Sequence, residues 1–139
     1  MSEAVSLDPI ALEISWNGLK SIADECFLVI MRSAFSTNIK ERHDHSTAIA
    51  DANGRLIVQA EMALPIHLAS MSGLMACILA QYRGTIKPGD IFIGNDPHVA
   101  GGTHLPGINL AMPIFGGGPL VGFFANIVHH ADVGGAAVG

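Results

Sequence analysis

The sequence predicts an α+β fold, and three observations carry that expectation. An apolar stripe at helical spacing opens the chain, an Asn-Gly pair sits between two short apolar runs, and glycine-rich turns separate apolar segments toward the end. The implied order is helix, hairpin, helix, then strands, as in folds that set helices against an antiparallel sheet.

Asp8 and Pro9 form an N-cap followed by a proline at the first helical position. Ile10, Ile14, Leu19, Ile22, Ala23, Cys26, Phe27 and Ile30 then recur near helical spacing, so a long helix is expected over about residues 9–34. Ser36 to His45 is polar without a period and reads as a loop. Thr47–Asp51 and Arg55–Gln59 flank Ala52-Asn53-Gly54, a strong hairpin signal because Asn and Gly accept the positive φ that tight turns demand. Pro65 opens a second helix through His67, Met71, Leu74, Met75, Ile78, Leu79 and Tyr82, ended by Gly84. After a turn at Lys87–Asp90, strands are expected at 91–93, 108–114 and 120–128, forming a meander.

Length and composition set bounds. The 139 residues suit one domain, with no internal repeat or linker, and half of them are hydrophobic, enough for a substantial core. A net charge of −5 and seven scattered basic residues argue against nucleic acid. Mean hydropathy is +0.43, yet no apolar run approaches the roughly 18 residues a spanning helix needs, so no membrane partner is expected. The N-terminus lacks the basic region of a secretory signal, and Cys26 and Cys77 form no paired motif, which points to a reducing, cytoplasmic setting. With only 14% charged residues the surface should be apolar for a free monomer, implying a partner or further protein structure against it.

All seven histidines fall in four polar islands: Glu41–His45, His67, Asn95–His104 and His129–Asp132. Loops and strand ends on a rigid scaffold are where functional groups gather. Along a continuing strand His129 and Ala131 share one face and His130 and Asp132 the other, whereas a turn would let His129 and Asp132 converge. Such a pair serves either a metal site or a His–Asp hydrogen bond that only stabilises the turn; mixed N/O ligation suits manganese, iron or zinc. The Asn95–His104 loop, rich in donors and glycine, reads as a binding loop, although it lacks the phosphate-loop signature. The first island either serves the site or is bland, with Arg42 and Asp44 paired across the loop and His43 or His45 a simple surface residue, and His67 either faces the site or is a satisfied core histidine. Nothing supports a covalent serine or cysteine mechanism: no GxSxG elbow is present and neither cysteine has a nearby histidine.

Taken in order, Ser33-Ala-Phe-Ser36, Lys40-Glu-Arg-His-Asp-His-Ser46, Asp51-Ala-Asn-Gly-Arg-Leu-Ile-Val-Gln-Ala60, Pro65-Ile-His-Leu68, Pro88-Gly-Asp-Ile-Phe-Ile-Gly-Asn-Asp-Pro97, Gly101-Gly-Thr-His-Leu-Pro106 and His129-His-Ala-Asp-Val-Gly-Gly135 form a set of motifs. They resemble the N-terminal part of the hydantoinase B/oxoprolinase family, whose chains are several times longer. The resemblance implies that residues 1–139 are the N-terminal part of a larger domain in the B-type half of an ATP-dependent machine. An A-type subunit or domain would use ATP to phosphorylate a lactam, hydantoin or ketone, and the B part would complete hydrolysis or carboxylation.

The same resemblance implies site roles. His129 and Asp132 would ligate a divalent metal, manganese before zinc or iron, with a third ligand beyond Gly139. Asp96 and His104 would be catalytic, and Arg42, Asp44, His67, Asn95 and Thr103 would bind substrate, Arg42 by a bidentate contact to phosphate or carboxylate. The expected activity is metal-assisted hydrolysis of an activated cyclic amide. Alternatives are the large subunit of an acetone carboxylase-type enzyme and, from another class, a non-catalytic interaction module. Three departures from the family pattern bear on the substrate: Gly107 where Asp is common, His98 where an aromatic is common, and His45 where Phe is common after Arg-x-Asp.

Overall fold

A computed structural model describes residues 8–137; residues 1–7, read above as lacking a secretory signal, lie outside the described part. The fold is α+β. Helix α1 spans Pro9–Ser33, with Asp8 accepting from the Ala11 N–H at 3.3 Å and Pro9 at its start. The segment expected to be a loop instead contains a short helix, α2, Thr37–Lys40. One turn closes as Lys40 and Glu41 N–H donate to Ser36 and Thr37 carbonyls, and Ile39 is buried; four residues are too few to show a period in sequence. Then come β1 His45–Asp51, β2 Leu56–Gln59, α3 Pro65–Tyr82, β3 Phe92–Gly94, β4 Gly107–Phe115 and β5 Leu120–His129.

The strands make one five-stranded antiparallel sheet in the order β2-β1-β5-β4-β3. Hairpin and meander form as expected, and they are joined because β1 pairs with β5 from His45↔Val128 to Asp51↔Gly122. Gly122 is required there: a Cβ would stand 2.4 Å from the Ala50 carbonyl oxygen. α3 covers one face, packing Met71, Leu74, Met75 and Ile78 on Ala48, Ala50, Ala111, Phe123, Ala125 and Ile127. The second half of α1 covers the other face over β1 and β2, burying Ala23 and Phe27 against Ile49, Val58, Ala60 and Ala63. Alanines at positions 48 and 50 let α3 approach β1 closely; each large side chain such as Phe27 or Phe123 contributes about 1.5–3 kcal/mol by leaving water.

The apolar stripe of α1 is only half used. Ile10 and Ile14 are each 68% exposed, and none of the residues from Pro9 to Gly18 is buried. A helix of 25 residues is roughly 37 Å long, and the sheet reaches under it only from about Leu19 onward. Among the described residues no helix is long and apolar enough to cross a membrane.

His45, for which a surface position was one of two readings, is fully buried and stacks on Phe27 with ring centroids 3.9 Å apart. It occupies the aromatic slot with an imidazole. Its Nε2 lies 3.1 Å from the Phe27 carbonyl, which requires Nε2–H and leaves Nδ1 buried without a partner. Burial pushes the His45 pKa below its ordinary 6.5, against smaller upward effects of the Phe27 carbonyl and Asp44. The unfolded chain therefore binds this proton more readily. The stabilisation is complete above about pH 6.5 and is lost as pH falls through the depressed folded value. His45→Phe should flatten this acid limb and leave neutral-pH stability equal or higher by about 1 kcal/mol, because an unsatisfied buried acceptor is removed. Urea unfolding across pH 5–8 measures both; an unchanged acid limb would contradict the assignment.

Candidate functional site

The polar islands meet where β1 begins, β5 ends and the loop into β4 arrives. Asp44 is set by main-chain bonds on both sides. Its N–H donates to Asn38 O at 2.9 Å, and its carbonyl accepts from His129 N–H at 3.0 Å. His43, just before it, has φ +55°, a left-handed conformation costing about 1–2 kcal/mol for an L-residue and held here by the surrounding bonds. The Asp44 carboxylate consequently points between two imidazoles. Oδ1 is 3.4 Å from His67 Nε2, and Oδ2 is 3.5 Å from His129 Nδ1, both long for hydrogen bonds.

His67 sits in the first turn of α3, where Pro65 at the helix start leaves its N–H to bond Leu64 O. Its Nδ1 is 2.9 Å from Ser46 Oγ, which also accepts from Leu64 N–H at 2.9 Å. Only 7% of His67 is exposed, and burial holds its imidazole below the ordinary pKa, opposed by the Asp44 carboxylate and reinforced by His129, His45 and His104. Burial thus favours its neutral form.

His104 approaches from the loop. Its Nδ1 is 2.8 Å from Thr103 Oγ1, and its ring lies 4.7 Å, centroid to centroid, from that of His129. Gly107 pairs with His129 in the sheet, and His130 N–H donates to Pro106 O at 2.9 Å, so the loop end is sewn to the end of β5. Asn38 adds a side-chain amide 3.4 Å from His129 Nδ1.

The structure thus brings together Asp44, His67, His104 and His129, with Thr103 behind His104. The carboxylate that faces His129 is Asp44 rather than Asp132: β5 stops at His129, and exposed Asp132 accepts from Gly134 N–H at 2.8 Å in its own turn. The Arg42–Asp44 ion pair does not form; Arg42 is exposed, and among the described residues it has no carboxylate partner. Asn95 Nδ2 donates to Leu105 O at 2.9 Å and pins the base of the loop. Asp96 Oδ1 accepts from His98 and Val99 N–H at 2.7 and 3.1 Å, folding the loop on itself, and both residues line a cleft of about 500 Å³ with α3 and β3. Among the described residues no group of three or more His, Cys, Asp or Glu side chains already stands in a metal-holding arrangement.

Asn38 and Ser46 were not singled out by sequence. For Ser46 a signal exists: His45, Ser46 and Thr47 are polar residues opening a strand whose remainder is apolar, and all three are buried. Buried polar groups in such a position need partners, and Ser46 finds Leu64 and His67.

Comparison with known proteins bears on the family and the fold. The chain is 41% identical over 139 residues to 5-oxoprolinase of Saccharomyces cerevisiae, covering 97% of this chain and 10% of that enzyme. Its fold matches the crystal structure of an ATP-dependent caprolactamase from Pseudomonas jessenii with TM-score 0.80 at 28% identity, over 95% of this chain and 22% of that one. It also matches a nucleotide-free acetone carboxylase with TM-score 0.84 at 21% identity, over 93% and 17%, a likeness of fold. The chain therefore spans a small part of the length of the proteins it resembles. Residues 8–139 match the family described as hydantoinase B/oxoprolinase, and the chain belongs to that family.

Proposed function

We propose that this chain forms part of the B-type component of an ATP-dependent cyclic-amide hydrolase, and that the Asp44, His104 and His129 side chains serve a divalent ion at its reaction centre. The carrying observation is the spacing at Asp44. Two donors each about 2.1 Å from one ion at a tetrahedral angle stand about 3.4 Å apart. The Asp44–His129 separation of 3.5 Å has that length. The Asp44–His67 separation of 3.4 Å has it too, but with Ser46 at His67 Nδ1 the ring hydrogen falls on Nε2, and a protonated nitrogen does not ligate. His104, packed against the His129 ring, is the third donor in this reading, in place of one beyond Gly139. Mixed N/O donors accept manganese, zinc or iron, with manganese favoured by the family resemblance.

When bound, such an ion would polarise a carbonyl or phosphoryl oxygen and lower the pKa of water toward 7. The chain's own residues do the positioning. Thr103 orients His104, Asn95 and Asp96 keep the loop that carries it folded, and exposed Arg42 is available for the phosphate or carboxylate of the substrate. Likeness to a 5-oxoprolinase and a caprolactamase, both named for cyclic amides, supports a lactam or hydantoin as substrate. ATP is used by an A-type subunit or domain, and the exposed apolar half of α1 supports packing against such further protein.

The test is made on the polypeptide as its gene encodes it, combined with its A-type partner. Elemental analysis should find a stoichiometric divalent ion, and 5-oxoproline, caprolactam or a hydantoin should stimulate ATP turnover. Chelation should abolish ring opening and added Mn²⁺ restore it. Ring opening that survives complete metal removal, or ATP turnover indifferent to all three substrates, would reject the reading.

A further inference from the structure

Ser46 and His67 are buried beside Asp44, and the sequence left His67 as either a substrate contact or a satisfied core histidine. Its surroundings assign it differently. Ser46 Oγ has two neighbours, the Leu64 N–H and His67 Nδ1, each at 2.9 Å. The Leu64 N–H is a donor only, so it occupies one Oγ lone pair and cannot accept the hydroxyl hydrogen. Ser46 is fully buried, which keeps bulk water from that hydrogen. The one acceptor left is Nδ1 of His67, which must therefore be the unprotonated ring nitrogen. The imidazole hydrogen is then on Nε2, and Nε2 faces Asp44 Oδ1 at 3.4 Å.

The chain of donors runs in one direction: Leu64 N–H to Ser46 Oγ, Ser46 O–H to His67 Nδ1, His67 Nε2–H toward Asp44 Oδ1. It begins at a main-chain amide in the α3 cap and ends on a carboxylate oxygen. His67 does not line the cleft that holds Asn95 and Asp96, and only 7% of it is exposed, so its contacts are almost all with protein rather than with a substrate. Asp44 has its other oxygen, Oδ2, toward His129. One oxygen of the carboxylate is thereby reserved for orientation and the other left for ligation, the division by which outer-shell partners fix a ligand's direction.

We propose that His67, its tautomer set by Ser46, is a positioning residue that fixes the Asp44 carboxylate by donating Nε2–H to Oδ1, so that Oδ2 faces the ion shared with His129. This rests on the metal reading above for its consequence, but the tautomer is independent of it. The contact shortens to a hydrogen bond when Asp44 is engaged, as active-site bonds that are long in an empty site commonly do.

Two measurements on the polypeptide as its gene encodes it test the idea. Long-range ¹⁵N–¹H NMR of metal-free, histidine-labelled protein should show His67 with protonated Nε2 and bare Nδ1, and Ser46→Ala should shift it toward a mixture of tautomers. Mn²⁺ titration followed by electron paramagnetic resonance should show affinity lowered by about 10- to 100-fold in His67→Leu. His67→Gln, whose amide N–H can stand near Nε2, should stay within about threefold of wild type, by the same outer-shell scale. Thermal unfolding of the metal-free variants identifies those that are folded. A folded His67→Leu that binds Mn²⁺ like wild type, or a wild-type His67 protonated on Nδ1, overturns the proposal. A wild type that binds no divalent ion overturns the metal reading instead, and the NMR tautomer then decides for or against the His67 assignment alone.

Discussion

Asp44→Asn should strip the protein of its divalent ion and of ring-opening activity while leaving it folded. The substitution keeps the shape of the side chain and every main-chain bond that sets residue 44, namely its N–H to Asn38 and its carbonyl from His129. Stability should stay within about 1 kcal/mol of wild type, the range of substitutions that create neither a cavity nor a buried charge. What changes is the donor. An amide oxygen carries no charge, and its NH₂ presents hydrogens to whichever of His67 Nε2 or His129 Nδ1 it faces. Loss of affinity should exceed the about 10- to 100-fold of an outer-shell partner, since Asp44 itself is a ligand in this reading. Asp132→Asn is the control: its carboxylate serves a local turn, so metal content should be unchanged. Elemental analysis of the two variants decides between the carboxylates. The reverse pattern, ion kept in Asp44→Asn and lost in Asp132→Asn, would return the ligand role to Asp132.

Gly101→Ala should be the most damaging single methyl group in the molecule. Gly101 has φ +71°, and a Cβ there would meet Gly73 Cα at 2.4 Å, Gly73 C at 3.0 Å and Ser70 O at 3.1 Å. All three are main-chain atoms of α3, which no rotamer change can move aside. The left-handed backbone costs an L-residue about 1–2 kcal/mol, and forcing a methyl into a filled contact about 1–3 more. Against a total stability of about 5–15 kcal/mol this is a large fraction. The loss should also reach the site, because the loop that rests on Gly73 carries Thr103 and His104. Gly117→Ala isolates the two contributions: φ is +63°, but nothing lies within 4 Å, so only the backbone cost applies. Urea unfolding of both variants, with Mn²⁺ affinity of whatever remains folded, gives the comparison. Equal destabilisation would mean that the loop does not rest on α3 as described.

These glycines show what kind of information the sequence carried. The Asn95–His104 loop was read as a binding loop from its donors and glycines. Gly101 instead makes room for α3. A glycine in sequence states that space is needed; which neighbour needs it depends on a residue distant along the chain, here Gly73.

The same division runs through the fold. α1 was legible because a stripe, a cap and a proline are local signals, and α3 for the same reasons. That half of the α1 stripe lies exposed was not legible, since amphipathicity records that a face is covered and is silent about what covers it. The hairpin and the β3–β4–β5 meander follow from short turns, whereas the β1–β5 pairing that unites them joins segments separated by α3, β3 and β4. Long-range pairing is chosen by total packing of both sheet faces, a property of no single segment.

By itself the sequence determined the α+β class, the family, the four polar islands, and, apart from α2, the helices and strands to within about two residues. It also singled out His129, His104, Asp44 and His67, the side chains that the fold brings together. Tertiary structure alone decided which carboxylate meets His129. Separation along the chain favoured Asp132, three residues away, but the strand ends at His129 and the following turn uses that carboxylate for itself. Asp44, far away in sequence, is carried to His129 because antiparallel β1 and β5 bring the start of one strand beside the end of the other, and a main-chain hydrogen bond between the two residues locks them there.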